Sequence, residues 1–150
     1  KGFIDTQITE LDSLRPQVRK KVSMGDEHHV IETRDINWEK ELGLFVQADI
    51  NKPAFKQSYS VSSHDSSTYV YVSKEGERLP VRELKIVLDK TGELETVEAY
   101  IKSENKLYVS EKRILLQVAD NRVQNYSITG FQQLVMMDRK PFSVSATISN

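Results

Sequence analysis

The second half of the chain, from Tyr69 to Ile148, alternates hydrophobic and polar residues between short polar turns. This period of two predicts β-strands that bury one face. The last strand shows it most clearly, with Phe142, Val144, Ala146 and Ile148 on one face and Ser143, Ser145 and Thr147 on the other. The pattern therefore predicts a run of antiparallel strands joined by short turns.

The segment Lys90-Thr91-Gly92 predicts a hairpin, because glycine adopts a positive φ without steric cost. A loop with an even number of residues keeps the apolar side chains on one face, whereas a three-residue loop mixes the two faces. The even loop pairs Leu84 with Ala99, Ile86 with Val97 and Lys85 with Glu98. We expect this register.

Two later turns predict two further hairpins. Asp120 and Asn121 suit a two-residue turn, because both residue types tolerate left-handed backbone conformations. The segment Asp138–Pro141 can close a second loop. The expected pairs are Val118 with Val123 and Leu115 with Tyr126 across the first turn, and Met137 with Phe142, Val135 with Val144 and Phe131 with Ile148 across the second.

The strand before the turn at Asp120 and Asn121 changes phase. Its early apolar residues occupy odd positions and its later ones even positions: Leu107 and Val109, then Ile114, Leu116 and Val118. A change of phase within one strand requires an extra residue. The pattern therefore predicts a β-bulge at Glu111–Arg113 and a curved sheet there.

The first half of the chain has a helical period. Apolar residues recur three or four positions apart: Ile4, Ile8, Leu11, Leu14, Val18 and Val22. This spacing predicts an amphipathic helix that is kinked at Pro16 or divided there into two helical pieces, with a stop at Gly25. A short strand over Glu27–Arg34 follows. Asn37 then caps a second helix that carries Trp38, Leu42, Phe45 and Val46 on one side.

Helical periods followed by strand periods predict an α+β fold. We expect two N-terminal helices packed on one face of a curved antiparallel β-meander of about six to eight strands. The 150 residues fit a single domain. Its helical and strand-containing part covers residues 1–55 and its meander covers residues 56–150.

Composition and charge exclude several classes of function. The chain has 21 Lys and Arg against 22 Asp and Glu, so no global field attracts the phosphates of a nucleic acid, and no such partner is expected. The absence of cysteine excludes thiol nucleophiles, zinc–thiolate sites and iron–sulfur clusters. No phosphate-binding loop or nucleophile elbow occurs, and no cofactor is expected.

The histidines are the remaining candidates for acid–base or metal chemistry. His28 and His29 are adjacent, so on a strand they point to opposite faces and cannot chelate one ion together. His28 can share a face with Asp26, or His29 with Glu27, but a metal needs a third ligand from elsewhere, such as the turn around His64. We therefore expect exposed turn and strand-end residues, with no metal site and no catalytic set.

Aromatic side chains are the candidates for ligand contact. Trp38 is the one tryptophan, and its alignment with Leu42 and Phe45 favours a contact between helix and sheet. Tyrosines on strands are typical of cross-strand packing, but those that face a concave sheet can stack on a sugar or an aromatic ligand. The predicted ligand-binding residues are Trp38, Tyr69, Tyr71, Tyr100 and Tyr126.

The chain begins with Lys1 rather than Met, which we interpret as a removed leader or a cut boundary. No apolar stretch approaches the roughly 18 residues needed to cross a bilayer, so no transmembrane segment is expected. In general organisation, a small, Ser-, Thr- and Tyr-rich, cysteine-free antiparallel domain that starts with a helix resembles the mature part of a bacterial cell-envelope lipoprotein. The resemblance implies a periplasmic or outer-membrane-anchored protein, with its lipid anchor outside this chain.

Two classes of function follow. The first is a non-enzymatic cell-envelope domain for binding or scaffolding, whose concave sheet face takes a small apolar ligand or an envelope protein. The alternative is a small α+β enzyme of the hydrolase or isomerase type, with a pocket between the helix of Trp38 and the sheet. Its acid–base pair is His28 or His29 with Asp26, Glu27 or Asp65. The absence of a recognisable catalytic set favours the first class.

Overall fold

The computed structural model describes residues 2–48, 59–63, 67–74 and 79–149. Within these ranges, three helices lie in the first third of the chain: α1 (Gly2–Leu14), α2 (Trp38–Glu41) and α3 (Gly43–Gln47). Nine strands accompany them: β1 (Gln17–Met24), β2 (Glu27–Thr33), β3 (Tyr59–Ser63), β4 (Thr68–Ser73), β5 (Val81–Leu88), β6 (Leu94–Glu104), β7 (Tyr108–Ala119), β8 (Arg122–Leu134) and β9 (Lys140–Ser149).

The nine described strands form one open antiparallel sheet in the order β2-β1-β9-β8-β7-β6-β5-β4-β3. Strands β3 to β9 make the predicted meander, because each pairs with the next along the chain. The β1–β2 hairpin extends the sheet beyond β9. The described part of the protein is therefore mostly sheet and only roughly α+β. Its meander has seven strands, within the six to eight predicted, but β1 and β2 bring the sheet to nine, and three short helices stand in place of two.

The helices pack against one face of the sheet and form the core with it. From the helices, the buried apolar residues are Ile4, Leu11, Trp38, Leu42, Phe45 and Ala48. The sheet contributes residues that include Val18, Leu84, Ala99, Ile114, Leu116, Val123, Tyr126, Ala146 and Ile148. The opposite face of the sheet carries most of the charged strand residues, as expected for a sheet that is covered on one side.

The predicted kinked helix as far as Val22 is wrong. Helix α1 stops before Arg15, which has a φ of 47°, and the following Pro16 lacks the amide that a helix would need. The next residues form β1, which pairs with β9: Val18 with Ile148 and Val22 with Val144. A spacing of four residues fits one face of a helix and one face of a strand equally, so the spacing alone could not separate them.

Gly25 lies in a hairpin turn and does not stop a helix. Its φ of 60° belongs to the left-handed region that glycine adopts freely, and Met24 pairs with Glu27 across the turn. The strand predicted over Glu27–Arg34 is confirmed as β2.

The predicted cap of the second helix is confirmed. The side chain of Asn37 accepts a hydrogen bond from the backbone amide of Lys40 at 3.2 Å. The helix breaks at Leu42 into α2 and α3, yet both halves keep their apolar residues on the sheet side. Trp38, Leu42 and Phe45 are all buried.

The predicted pairs between β5 and β6 are confirmed, but the even loop is wrong. Leu84 pairs with Ala99, Lys85 with Glu98 and Ile86 with Val97. Five residues connect the strands, and Leu88 pairs with Leu94 while Val87 pairs with Thr96, so one extra residue, Glu95, restores the register. The burial of one face determines which residues pair, and the bulge at Glu95 makes this register compatible with a loop that has an odd number of residues.

The side chain of Asp89 holds this loop together. It accepts hydrogen bonds from the hydroxyl of Thr91 at 2.6 Å and from the amides of Thr91 and Glu93. The bond from the Thr91 hydroxyl and the bonds from the amides lower the pKa of Asp89. Gly92 completes the loop with a φ of 86°.

The turn at Asp120 and Asn121 is confirmed, with φ values of 53° and 63°. Val118 pairs with Val123 as predicted. The predicted pair of Leu115 with Tyr126 is wrong, because Gln124 is an extra residue and Tyr126 lies opposite Leu116 instead. This bulge places the Tyr126 side chain on the buried face.

The predicted register of the last hairpin is wrong by seven residues. Phe142 pairs with Gly130 and not with Met137. Strand β8 ends at Leu134, and residues 135–139 form a loop. Core packing explains the difference, because the observed register places Tyr126 beside Ala146 and both are buried.

The predicted bulge at Glu111–Arg113 is also wrong. Strand β7 keeps one register with β6 and with β8 through this segment. The even positions face inward throughout, and they include Ser110, which is 6% exposed, whereas Leu107 is 71% exposed. The apparent change of phase arises because the start of the strand lies outside the core.

Candidate functional site

The five predicted ligand-binding aromatic residues occupy three separate places. Trp38 and Tyr126 meet between α2 and the sheet, and each is 1% exposed. Their rings are 6.4 Å apart in an edge-to-face arrangement, and Phe45 contacts Tyr126 in the same way. Tyr69 and Tyr71 lie on β4, and Tyr100 lies on β6 facing away from the helices.

A polar cluster lies beside the Trp38–Tyr126 contact. The Tyr126 hydroxyl donates a hydrogen bond to Glu41 Oε2, and Lys20 Nζ lies 2.7 Å from Glu41 Oε1. Lys20 reaches Glu41 because even-numbered residues of β1 face the helices. Both side chains of this ion pair are about one-fifth exposed, at 20% and 18%. Burial, followed by the hydrogen bond to Glu41, raises the pKa of Tyr126 above its usual value.

This cluster is a connection between helix and sheet. Each of its polar groups has a partner, and the Tyr126 hydroxyl keeps its proton at neutral pH, so it serves as a hydrogen-bond donor and not as a base. Neither histidine of β2 joins it within hydrogen-bond reach.

Replacing Tyr126 by Phe is expected to lower the free energy of unfolding by about 1.5 to 3 kcal/mol at neutral pH, because a hydrogen bond to a charged group is lost. Above about pH 10 the unfolded wild-type chain loses the phenol proton that the folded protein retains, so wild-type stability falls. The difference between wild type and Tyr126→Phe should therefore narrow as the pH rises. Urea unfolding at neutral and alkaline pH measures it, and a constant difference would contradict the raised pKa.

Tyr100 belongs to a cluster on the outer face of the sheet. Its hydroxyl donates a hydrogen bond to Glu111 Oε1, and the Arg113 guanidinium lies 4.7 Å from the centre of its ring. Burial and the bond to Glu111 raise the pKa of Tyr100. Tyr100 thus lies on the opposite face from Trp38 and Tyr126.

The other two tyrosines lie next to an apolar hollow. Tyr69 pairs with Ile86 and Tyr71 with Leu84, and both tyrosines are half-buried on the helix side of the sheet. Ile86 and Leu84 are wall residues of that hollow.

The apolar hollow has a volume of about 130 Å³ and lies between the helices and strands β5 and β6. Among the described residues, its walls are Phe3, Ile4, Phe45, Ala48, Leu84, Ile86, Leu94 and Val97. Residues 49–58, which follow Ala48, lie outside the described part. A cavity of about 150 Å³ lined by similar side chains binds benzene in an engineered protein, so the hollow has the size for a small ring or the end of an acyl chain.

Gln7 positions the helix that forms one wall of the hollow. Its side chain is 2% exposed, donates a hydrogen bond to the Asn121 carbonyl at 2.9 Å and accepts one from the Val123 amide at 3.0 Å. These bonds fix α1 on the turn between β7 and β8. The sequence carried a signal for this role, because Gln7 interrupts the apolar stripe between Ile4 and Leu11.

Two of the three histidines lie on the described strand β2. His28 and His29 lie on opposite faces of β2, and both are exposed. His29 Nε2 lies 3.9 Å from a Glu27 carboxylate oxygen, so this predicted pair shares a face, at the solvent-exposed edge of the sheet. His64 lies outside the described residues. No group of three or more His, Asp or Glu that could hold a metal occurs in the part of the chain that the structure describes.

Comparisons with protein-family models, curated proteins and solved structures return no match for this chain. The described helices contain none that is both long and apolar enough to cross a membrane.

Proposed function

We propose that this chain is a non-enzymatic binding domain of the cell envelope that holds a small apolar ligand in the apolar hollow. The observation that carries the proposal is the chemistry of the lining: the eight wall residues that the structure describes are all apolar, and none of these eight can be titrated. Such a site gains affinity by removing apolar surface from water. Its ligand is a ring or the end of an acyl chain.

The surrounding structure supports a preformed site. Gln7 anchors α1 at one wall, and the buried Phe45 anchors α3 at another. The Lys20–Glu41–Tyr126 cluster ties the α2 region to the sheet. Walls that are already fixed lose little conformational entropy on binding.

The enzyme alternative has less support among the described residues. A general acid or base must lie within hydrogen-bond reach of the reacting group, usually in a pocket that excludes water. His28 and His29 lie on an exposed edge strand, and the described wall residues of the apolar hollow include no acid or base. Envelope location rests on the sequence organisation alone and stays a prediction.

Decanoate is a suitable probe, because it offers a flexible acyl chain with one charged end that can remain in water. Isothermal titration calorimetry of the folded protein with decanoate should show binding with a negative heat capacity change, which marks the burial of apolar surface. Leu94→Trp should fill the hollow and weaken this binding by about tenfold or more.

The matched control is Leu115→Trp, because Leu115 is also half-buried on a strand but faces away from the helices. It should leave decanoate binding unchanged. Thermal unfolding of both variants confirms that they fold. The proposal is overturned if wild type shows no heat of binding, or if both tryptophan variants bind as tightly as wild type.

A further inference from the structure

A second apolar surface is formed by residues that take no part in the hollow, and these residues are exposed. At one end of the sheet the turn between β6 and β7 meets the loop between β8 and β9, where the Val135 amide donates a hydrogen bond to the Leu107 carbonyl at 2.9 Å. We call this surface the apolar tip. It consists of Leu107 (71% exposed), Tyr108 (37%), Leu134 (53%), Val135 (55%), Met136 (98%) and Met137 (50%).

The tip projects from the sheet. Strand β6 makes its last pair with β7 at Val109, and β9 makes its first pair with β8 at Gln132, whereas β7 and β8 remain paired to Tyr108 and Leu134. The tip therefore protrudes beyond β6 and β9, and a protein partner would need a surface of complementary shape to cover it. A fluid lipid surface adapts to a protrusion without a matching shape.

Several backbone groups of the tip form hydrogen bonds within the protein. The side chain of Asn105 accepts hydrogen bonds from the amides of Leu107 and Tyr108, and the Met137 amide donates to the Leu134 carbonyl. The Met137 carbonyl accepts a bond from the Gln133 side chain. Hydrocarbon cannot hydrogen-bond to a peptide group, so each of these internal bonds lowers the free-energy cost of moving the tip into a bilayer.

Met136 contradicts two local preferences at once. Its φ of 66° occurs at the third position of the Leu134–Met137 turn, where glycine or asparagine is favoured. Its side chain is also 98% exposed, so it gains nothing from core packing. A residue with a strained backbone and no packing contacts lowers the stability of the fold, and such residues are expected at functional positions.

The charges around the tip suit a phospholipid headgroup layer. Three cationic residues flank the tip, Lys106, Arg139 and Lys140, and they outnumber the two nearby acidic residues, Glu104 and Asp138. Arg139 is held in place, because its Nε donates to Gln133 Oε1 at 3.2 Å and its guanidinium lies 4.4 Å from the centre of the Phe131 ring. Long cationic side chains beside an apolar surface reach back to phosphate groups.

We infer that the apolar tip inserts into the headgroup and upper acyl region of a phospholipid bilayer and docks the protein there. Met136 and Val135 enter the acyl boundary, Tyr108 lies at the headgroup level, and the flanking cations contact phosphates. This inference is independent of the apolar hollow.

Co-sedimentation with vesicles tests it. Wild type should bind vesicles of phosphatidylcholine, and more tightly those with equal parts of phosphatidylcholine and phosphatidylglycerol. Met136→Asn keeps a residue that tolerates the left-handed conformation but removes the apolar side chain. It should weaken binding to both vesicle types by about tenfold, as expected for the loss of one buried apolar side chain.

The same variant should be more stable than wild type, with a midpoint of thermal unfolding raised by about 2 to 4 °C, because strain is relieved. The matched control is Val61→Asn, at an exposed valine (59%) on the edge strand β3, which β4, β5 and β6 separate from β7, and it should leave vesicle binding unchanged. Decanoate binding should be the same in wild type and Met136→Asn, which separates this test from that of the hollow.

Three results would overturn the inference. The first is no sedimentation of wild type with either vesicle. The second is equal binding by wild type and Met136→Asn, with binding abolished by salt, which indicates adsorption by charge only. The third is concentration-dependent self-association in analytical ultracentrifugation that Met136→Asn removes while vesicle binding is unchanged, which assigns the tip to contact with a second copy.

Discussion

Trp38→Ala is expected to lower the free energy of unfolding by about 3 to 5 kcal/mol, the range measured when a buried aromatic residue is truncated in a core. Trp38 is 1% exposed, and its ring contacts Tyr126 edge to face. Truncation removes apolar contacts from both α2 and the sheet and leaves a cavity where Tyr126 was supported. Equilibrium unfolding in urea measures the loss.

Trp38→Phe is the control, because it retains a ring and fills part of the same space. Its loss should be less than half that of Trp38→Ala. Trp38 was also predicted to bind a ligand, and the two roles give different results. A loss below about 1 kcal/mol, together with weaker decanoate binding, would contradict a core role and favour ligand contact.

Gly130→Ala has the second largest expected effect. Gly130 pairs with Lys112 on one side and with Phe142 on the other, so its backbone is fixed in the interior of the sheet. A methyl group at this position would lie 1.9 Å from the Glu111 carbonyl oxygen, a backbone atom. Two paired strands must then move apart, and we expect a loss of about 2 to 3 kcal/mol in the free energy of unfolding.

Gly43→Ala is the matched control. Gly43 begins α3, and a methyl group there meets nothing within 4 Å. Alanine in place of glycine in a helix should stabilise the protein by about 0.5 to 1 kcal/mol. Urea unfolding of both variants should therefore give changes of opposite sign. A Gly130→Ala variant as stable as wild type would contradict the close approach of β7 and β8.

Burial of one face was sufficient to predict the middle of the sheet. The pair of Leu84 on β5 with Ala99 on β6 follows from alternation, because a slip of one residue would expose an apolar face.

 Leu84 and Ala99 are both buried, and the neighbouring pair of Ile86 with Val97 is half-buried on the same face. The details of the loops did not follow, because a single extra residue such as Glu95 or Gln124 can reconcile either loop length with the same buried face.

The errors at the two ends of the chain have a common cause. Val18 and Val22 fit a helix and a strand equally, and Pro16 was the residue that separated the two, since it ends a helix more readily than it bends one. Residues Val135 to Met137 look like a strand by composition, but they are exposed in a loop. Composition alone could not show that these apolar residues lie outside the core.

The apolar hollow could be predicted only in part. Phe45, Leu84, Ile86 and Val97 were expected on the buried face, and they are wall residues. Phe3 and Ala48 join them because α1 and α3 cross the sheet at that point, which depends on contacts between distant residues such as Gln7 and Val123. No local pattern in the sequence encodes the distance between a helix and a strand.

The most direct test of the central claim is methyl NMR of the protein during titration with decanoate. The proposed binding in the apolar hollow predicts shifts for the methyl groups of Leu84, Ile86, Leu94 and Val97, with little change at Ile114 and Leu116 in the sealed part of the core. Shifts confined to the apolar tip, at Leu107 and Leu134, or no shifts at all, would contradict it.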